Sequence, residues 1–137
     1  MTYNWERVHL YKKKAAKRGP FAKIWIWKDP WGRHQTYAQL RFNNYSSPFI
    51  KGWTYTILDY DPQARILSLR EASLGNTGAL RVRHVGSERQ LRILSVGSFL
   101  SQFNLWGESF NWAPVSWDGK ESRVLIDLSK DGSSDGE

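Results

Sequence analysis

The sequence predicts a mainly β protein: a single small β-barrel-like domain of about eight short strands with one or two short helices. Three observations support this fold class. The chain has 137 residues, which is enough for one compact core. Most of its apolar stretches alternate with a period of two rather than 3.6 residues. Turn-forming Gly, Pro, Asn and Asp residues separate those stretches at short intervals.

The first two strands form a predicted β-hairpin over residues 22–27 and 36–42, with turn residues Asp29-Pro30-Trp31-Gly32 between them. If burial determines the register, one face of this hairpin is aliphatic. Its members are Ile24, Ile26, Ala38, Leu40 and Phe42. The opposite face then mixes rings, an amide and cations: Lys23, Trp25, Trp27, Tyr37, Gln39 and Arg41.

Six further strands are predicted between turn signals, at residues 53–60, 65–70, 80–85, 91–96, 110–117 and 123–128. Helix is scarce. Residues 98–105 have the pattern of two helical turns that bury Phe99, Leu100 and Phe103, and residues 48–52 of one more turn. Core packing is the expected role of the aromatic residues that lie among apolar neighbours: Phe49, Trp53, Phe99, Phe103, Phe110 and Trp112.

Two segments, residues 37–72 and 88–130, repeat the order strand, short helix, strand, acidic turn, strand. They match best where each ends, with DPQARILSL from residue 61 and DGKESRVLIDL from residue 118. Two β-α-β-β units in tandem are one interpretation, and a likeness of pattern alone is the other. The predicted organisation is a basic N-terminal segment over residues 1–21, a β-rich domain over residues 22–130 and an acidic flexible tail over residues 131–137.

This repeated β-α-β-β order resembles the swapped-hairpin barrels of the AbrB/SpoVT and MraZ class of DNA-binding regulators, with a SymE-type, RNA-directed toxin as a more remote analogy. The resemblance covers roughly residues 37–130. It implies a pseudo-dimeric barrel that places Arg-rich hairpins over DNA. The residues that would carry this role are Arg41 and Arg92 at matching strand starts, and Arg81, Arg83 and Arg89 on the connecting hairpin.

Charge is unevenly distributed along the chain, whose formal net charge is +7. Residues 1–41 carry ten Lys or Arg against two acids, whereas residues 99–137 carry three against seven. A basic balance favours polyanionic partners. The run Lys12, Lys13, Lys14, Lys17 and Arg18 is either a phosphate-contacting arm or a solvated loop.

Aromatic and cationic residues alternate in the predicted hairpin, where Trp25, Trp27, Trp31 and Tyr37 are interspersed with Lys23, Lys28, Arg33 and Arg41. Nucleobases stack on such rings while neighbouring cations contact the phosphates, which suits single-stranded or RNA ligands. The alternative is a second hydrophobic layer that packs under the N-terminal segment, with Tyr3, Trp5 and Tyr11 as its cover.

Catalytic and metal-binding signals are weak. The chain has no cysteine, which excludes disulfides and Cys-based metal or nucleophile sites. The three histidines, His9, His34 and His84, are far apart in sequence. Asp59 and Asp61 lead into a turn and could offer two carboxylates to Mg²⁺, but turn capping is the favoured explanation. No Gly-x-Ser-x-Gly motif occurs, and Gly75-Asn76-Thr77-Gly78 lacks the Lys-Ser/Thr of a phosphate-binding loop.

The sequence therefore favours a small non-enzymatic nucleic-acid-binding protein, without cofactor or metal, that uses the basic N-terminal arm and the hairpin face, with Arg81 and Arg83 as further contacts. One alternative is a protein-interaction module that uses the Trp-rich patch, as an accessory subunit or inhibitor of a nucleic-acid-handling complex. A remote alternative is an RNA-directed toxin-like enzyme. A cytoplasmic location without a membrane partner is expected, because no apolar run is long enough to span a bilayer and no signal peptide is recognisable.

Overall fold

The computed structural model describes residues 2–6, 19–28, 35–85 and 91–130. These residues contain nine strands: β1 (Phe21–Lys28), β2 (Thr36–Phe42), β3 (Tyr55–Asp61), β4 (Ile66–Ala72), β5 (Leu80–Arg81), β6 (Arg83–Val85), β7 (Leu91–Ser95), β8 (Ala113–Asp118) and β9 (Arg123–Asp127). They also contain one α-helix, α1 (Gly97–Gln102), and two 3₁₀ turns, η1 (Ser47–Ile50) and η2 (Leu128–Lys130). The predicted mainly β class is confirmed.

All eight predicted strands are present, and the ninth arises because the predicted strand over residues 80–85 is divided at Val82. The amide of Val82 donates to the carbonyl oxygen of Thr54 (2.8 Å), and its side chain is buried. The strand predicted from residue 110 begins instead at Ala113. Both predicted helical turns are present, at α1 and η1.

The strands form one antiparallel sheet in the order β5-β3-β4-β9-β8-β1-β2-β7-β6. Its two end strands, β5 and β6, are separated in the chain only by Val82. The sheet is therefore almost closed into a barrel, since one bent segment borders β3 on one side and β7 on the other. The link between β1 and β8 is short, with Phe21 opposite Pro114 and Ala22 opposite Ala113.

The β1–β2 hairpin has the predicted faces, and its register places Ala22 opposite Phe42, Ile24 opposite Leu40 and Ile26 opposite Ala38. Four of the five predicted inner residues are buried, and Ile26 packs against the core while half-buried. A one-residue shift would expose this aliphatic set, which is why burial specifies the pairing.

The barrel interior is filled by side chains from every long strand and from α1, among them Leu40, Phe42, Leu69, Leu100 and Ile126, all fully buried. The aromatic residues predicted for the core do lie there in five of six cases: Trp53, Phe99 and Phe110 are buried, and Phe49 and Phe103 pack against the core. Trp112 is the exception. It is half-buried outside the core, and its ring centre lies 5.9 Å from Lys23 Nζ.

The two predicted units occupy equivalent places in this barrel. Asp61 begins the β3–β4 turn and accepts hydrogen bonds at Oδ1 from the amides of the residues two and three positions later (3.0 and 3.1 Å). Asp118 does the same in the β8–β9 turn (3.1 and 3.4 Å). Each turn then ends on a residue with positive φ, Arg65 (59°) and Ser122 (52°). The resemblance between the two sequence segments therefore extends to backbone conformation.

An approximate two-fold axis relates these units. β2 pairs antiparallel with β7, with Leu40 directly opposite Leu94, and β4 pairs antiparallel with β9, with Ser68 directly opposite Leu125. The axis passes between the members of each pair. β1, which borders β2 and β8, has the bent β5–β6 segment as its equivalent, since that segment borders β7 and β3.

Asn43 joins the start of β1 to the end of β2. Its Oδ1 accepts hydrogen bonds from the amides of Phe21 (3.1 Å) and Ser46 (3.0 Å), and its Nδ2 donates to the carbonyl oxygen of Gly19 (2.8 Å). We expect Asn43→Ala to lower the free energy of unfolding by about 1–3 kcal/mol, because part-buried polar groups lose their partners. Urea denaturation measures this. The matched control is Asn44→Ala at the exposed neighbouring position, and an equal loss in both variants would contradict this role of Asn43.

Candidate nucleic-acid interface

The outer side of the β1–β2 hairpin carries the side chains that alternate with the core residues. Lys23 lies opposite Arg41, Trp25 opposite Gln39, and Trp27 opposite Tyr37, so these six residues share one face as predicted. We call these six residues the aromatic-basic face. Because directly opposed residues in a sheet point to the same side, they form one continuous surface.

Trp25 lies at the centre of this face and is 43% exposed. Lys23 Nζ is 4.7 Å from the centre of its ring, and Arg41 Cζ is 5.0 Å from it, both within the range of a cation-π contact. Arg41 is oriented by Gln39, whose Oε1 accepts from Arg41 Nε (3.3 Å) and Nη2 (3.1 Å). The result is an exposed ring with two positioned cations beside it.

Trp27 and Tyr37 form a second aromatic unit towards the hairpin turn. Their rings are stacked, with centroids 5.6 Å apart and an interplanar angle of 25°. Tyr37 is 39% exposed, and its hydroxyl donates to Gln35 Oε1 (3.0 Å). Lys28 is exposed at the end of β1, opposite Thr36 and one residue out of phase with Trp27.

A row of cations continues from this face across the barrel. Lys23 lies opposite Arg41, which lies opposite Ile93 on β7. Ile93 in turn lies opposite Arg83 on β6. We call the three cations Lys23, Arg41 and Arg83, with Ile93 between the two arginines, the cationic row. At a strand spacing of roughly 4.8 Å its backbone positions span about 14 Å.

Arg81 lies near one end of this row. Val82 is buried between Arg81 and Arg83, and both arginines are exposed on the outer side of the bent segment. Arg81 itself lies opposite Tyr55 of β3. It therefore extends the positive surface from the cationic row towards the other half of the barrel.

The positive charges of this surface have no acidic partners among the described residues. The ion pairs among the described residues are Arg65–Glu108, Arg70–Asp59, Arg123–Asp118 and Lys130–Asp127. None of them includes Lys23, Lys28, Arg41, Arg81 or Arg83. Most of the described carboxylates lie on β3, β4, β8, β9 and their turns, which we call the opposite half of the barrel. Glu108 is an exception, because it lines a cleft that Lys23 and Trp25 also line, where it is paired with Arg65.

Two groups on that opposite half have shifted pKa values. Burial raises the pKa of Tyr60, and a hydrogen bond to Glu108 raises the pKa of Arg65. Since both values move further above neutrality, Tyr60 stays neutral and Arg65 stays charged at physiological pH. This cluster therefore adds no titration near pH 7.

The proposed cover of the aromatic-basic face is not formed by the described N-terminal residues. Tyr3 is 65% and Trp5 87% exposed, and their rings lie beside one another with centroids 5.4 Å apart. Tyr11 lies outside the described residues. Exposure of Trp25 and Tyr37 favours a surface role over a second packed layer.

Several predicted site residues lie outside the described part of the chain: Lys12, Lys13, Lys14, Lys17, Arg18, Trp31 and Arg33, with Arg89 of the family resemblance and the tail at residues 131–137. The structure brings together Lys23, Trp25, Trp27, Tyr37 and Arg41, and connects them to Arg83 through the cationic row.

Arg92 does not match Arg41 as the resemblance implied. It lies opposite His84, one residue out of phase with Ile93, so it points to the other side of the sheet. The two-fold relation that equates Leu40 with Leu94 places Ser95 at the position of Arg41.

The candidate catalytic residues have local structural partners. His84 Nε2 is 3.3 Å from the carbonyl oxygen of Trp53, to which it donates in the matching tautomer. Asp59 forms an ion pair with Arg70, and Asp61 caps a turn as expected. In the described ranges no group of three His, Asp or Glu side chains is arranged to hold a metal ion. His9 and His34 lie outside those ranges.

Three features of the site were not predicted. Gln39 orients Arg41, Trp112 lies beside Lys23, and Ile93 joins Arg41 to Arg83. The alternation within β2 identifies the face of Gln39. Trp112 and Lys23, and likewise Ile93 and Arg41, come from segments more than 50 residues apart, and no local pattern indicates these two contacts.

Compared with models of known protein families, with curated proteins and with solved structures, the chain finds no match. Among the described residues, no helix has the length and apolar character needed to cross a bilayer. Function is therefore inferred from the geometry of the aromatic-basic face and the cationic row.

Proposed function

We propose that this chain is a small non-enzymatic nucleic-acid-binding protein whose ligand is single-stranded. The observation that carries the proposal is the cationic row beside exposed Trp25, with no acidic partner among the described residues. Phosphates would contact Lys23, Arg41 and Arg83, and a base would stack on the exposed indole. The basic N-terminal arm is a further phosphate contact in this proposal.

A single strand suits this surface better than a duplex. Sheet faces with exposed rings bind unstacked bases, as in the stacking platforms of several RNA-binding folds. Duplex DNA is the contrasting ligand, because the end of the β1–β2 hairpin is a two-stranded ribbon of the kind that can enter a major groove.

The proposal is tested by fluorescence anisotropy with labelled single-stranded RNA, single-stranded DNA and duplex DNA at about 50 and 200 mM salt. We expect binding that weakens steeply with salt and is tightest for a single strand. Absence of binding at the lower salt concentration would contradict the proposal. It would favour the protein-interaction alternative, because exposed Trp, Tyr and Arg side chains are also typical of interface hot spots.

Removing the exposed ring is the specific test of stacking. We expect Trp25→Ala to weaken single-strand binding about 5- to 150-fold, which corresponds to about 1–3 kcal/mol for one stacked base. The control is Trp117→Ala, because Trp117 is 44% exposed, nearly the same as Trp25, but lies on β8 in the opposite half. Equal affinities of the two variants for the same oligonucleotide would exclude Trp25 as the stacking residue.

A further inference from the structure

A cleft opens beside the aromatic-basic face, between β1 and the chain that leads into β8. Its volume is about 340 Å³, and it is lined by residues 23–26 on one side and by Trp106 and residues 108–111 on the other. Consecutive residues of a strand point to alternate sides of the sheet. Since all four residues 23–26 line the cleft, it lies along the edge of β1 and not on one of its faces.

The cleft forms where the pairing of β1 with β8 ends. The last pair is Ala22 opposite Ala113. Continued by two residues, the same register would place Ile24 opposite Asn111, but these two residues line the cleft instead. Beyond Ala22, the edge of β1 that faces β8 is therefore open to a ligand.

The backbone groups of Ile24 and Ile26 face this open edge. In an antiparallel ladder, every second residue of a strand bonds to the same neighbouring strand. The carbonyl oxygen of Pro20 accepts from the amide of Val115 on β8 (3.0 Å), so the residues four and six positions later also direct their backbone groups to this side. Ile24 is 3% exposed, and the backbone groups of so buried a residue normally have a partner. A ligand in the cleft can supply it.

Aromatic rings and a carboxylate lie in the same cleft. Glu108 accepts from Arg65 Nη2 at Oε2, and because a carboxylate has about four acceptor sites, this bond leaves others for a ligand. Trp106 is oriented by a hydrogen bond from its indole Nε1 to Ser101 Oγ (2.8 Å). Trp25 lines the cleft beside the cationic row. A flat, hydrogen-bonding ring therefore suits the cleft, whose volume is at the lower end of the roughly 300–1,000 Å³ of small-molecule sites.

We propose that this cleft binds the base that stacks on Trp25, and that this base is guanine. A carboxylate only accepts hydrogen bonds, so Glu108 selects a base edge that carries N–H donors. Guanine has two neighbouring N–H donor groups on its Watson–Crick edge, whereas every other base has one. The backbone of Ile24 and the side-chain amide of Asn111 offer donors and acceptors to the rest of the purine. This inference deepens the proposed function and rests on it.

Fluorescence anisotropy with an oligothymidine of roughly ten nucleotides tests this inference, against the same strand with guanine, adenine or cytosine at one central position. We expect the guanine strand to bind about 5- to 150-fold more tightly than the thymine strand, as for one bidentate contact to a base. Equal affinities of the four strands, or a preference for another base, would overturn the inference and leave the proposed function intact. Absence of binding to every strand would overturn both.

Glu108→Gln tests the carboxylate itself. We expect the ratio of guanine-strand to thymine-strand affinity to fall towards one, because the amide replaces one acceptor oxygen with a donor group. Arg65→Gln removes the same ion pair but keeps the carboxylate, and Glu121→Gln makes the same substitution in the exposed β8–β9 turn. Both control variants should retain the ratio. A guanine preference that persists in Glu108→Gln, or that Arg65→Gln abolishes to the same extent, would overturn the inference.

Discussion

Replacing Lys23, Arg41 and Arg83 together with Gln is expected to weaken single-strand binding about 500-fold at about 50 mM salt and about 30-fold at about 200 mM salt. These values assume that each cation neutralises one phosphate and releases about 0.7 of a counterion, with the electrostatic contribution vanishing near 1 M salt. The slope of log affinity against log salt should become shallower by about 2. Anisotropy across a salt series measures both quantities.

The control for this triple variant removes the same amount of charge from the other half of the barrel. Arg70, Lys120 and Lys130 are exposed there, and two of them form surface ion pairs. Replacing them with Gln changes net charge equally but removes no proposed phosphate contact. If both triple variants lost affinity to the same extent, net charge and not the cationic row would account for binding.

The largest single-residue effect on stability is expected at the two-fold axis of the barrel. Leu40 is fully buried and lies directly opposite Leu94. Leu40→Ala should lower the free energy of unfolding by about 2–5 kcal/mol, because the lost methyl groups leave a cavity that the surrounding strands fill only in part. Urea denaturation followed by tryptophan fluorescence measures the change.

Leu74→Ala is the matched control for this substitution. Leu74 is 75% exposed in the connection between β4 and β5, so we expect a change within about 0.5 kcal/mol. A Leu40 variant as stable as this control would mean that the β2–β7 pairing is not part of the central core. The proposed continuity of the cationic row would then fail as well, since Arg41 meets Ile93 in the same pairing.

Local pattern was sufficient to predict the β1–β2 hairpin and the composition of both its faces. Alternation with period two separates Ile24 from Trp25, and the burial of one face excludes a one-residue shift of the pairing. The same reasoning identified the acidic turns at Asp61 and Asp118, because Asp side chains cap turns through their own local hydrogen bonds.

Long-range pairing could not be predicted in this way. Nothing in the sequence around Arg41 indicates that Ile93 lies beside it, since many partners satisfy the same alternation. The bend at Val82 has a similar origin, because the segment must border both β3 and β7 to close the barrel. Trp112 was assigned to the core because its neighbours are apolar, but it lies beside Lys23 on the outer side.

The most direct test of the proposed interface is a ¹H–¹⁵N spectrum of the tryptophan indole groups during titration with a single-stranded oligonucleotide. We expect the indole signals of Trp25 and Trp27 to shift, together with the amides of residues 23–27 and 37–41. The buried Trp53 and the exposed Trp117 of the opposite half should remain unchanged. Shifts centred on Trp117, or binding without any change at Trp25, would contradict the proposed interface.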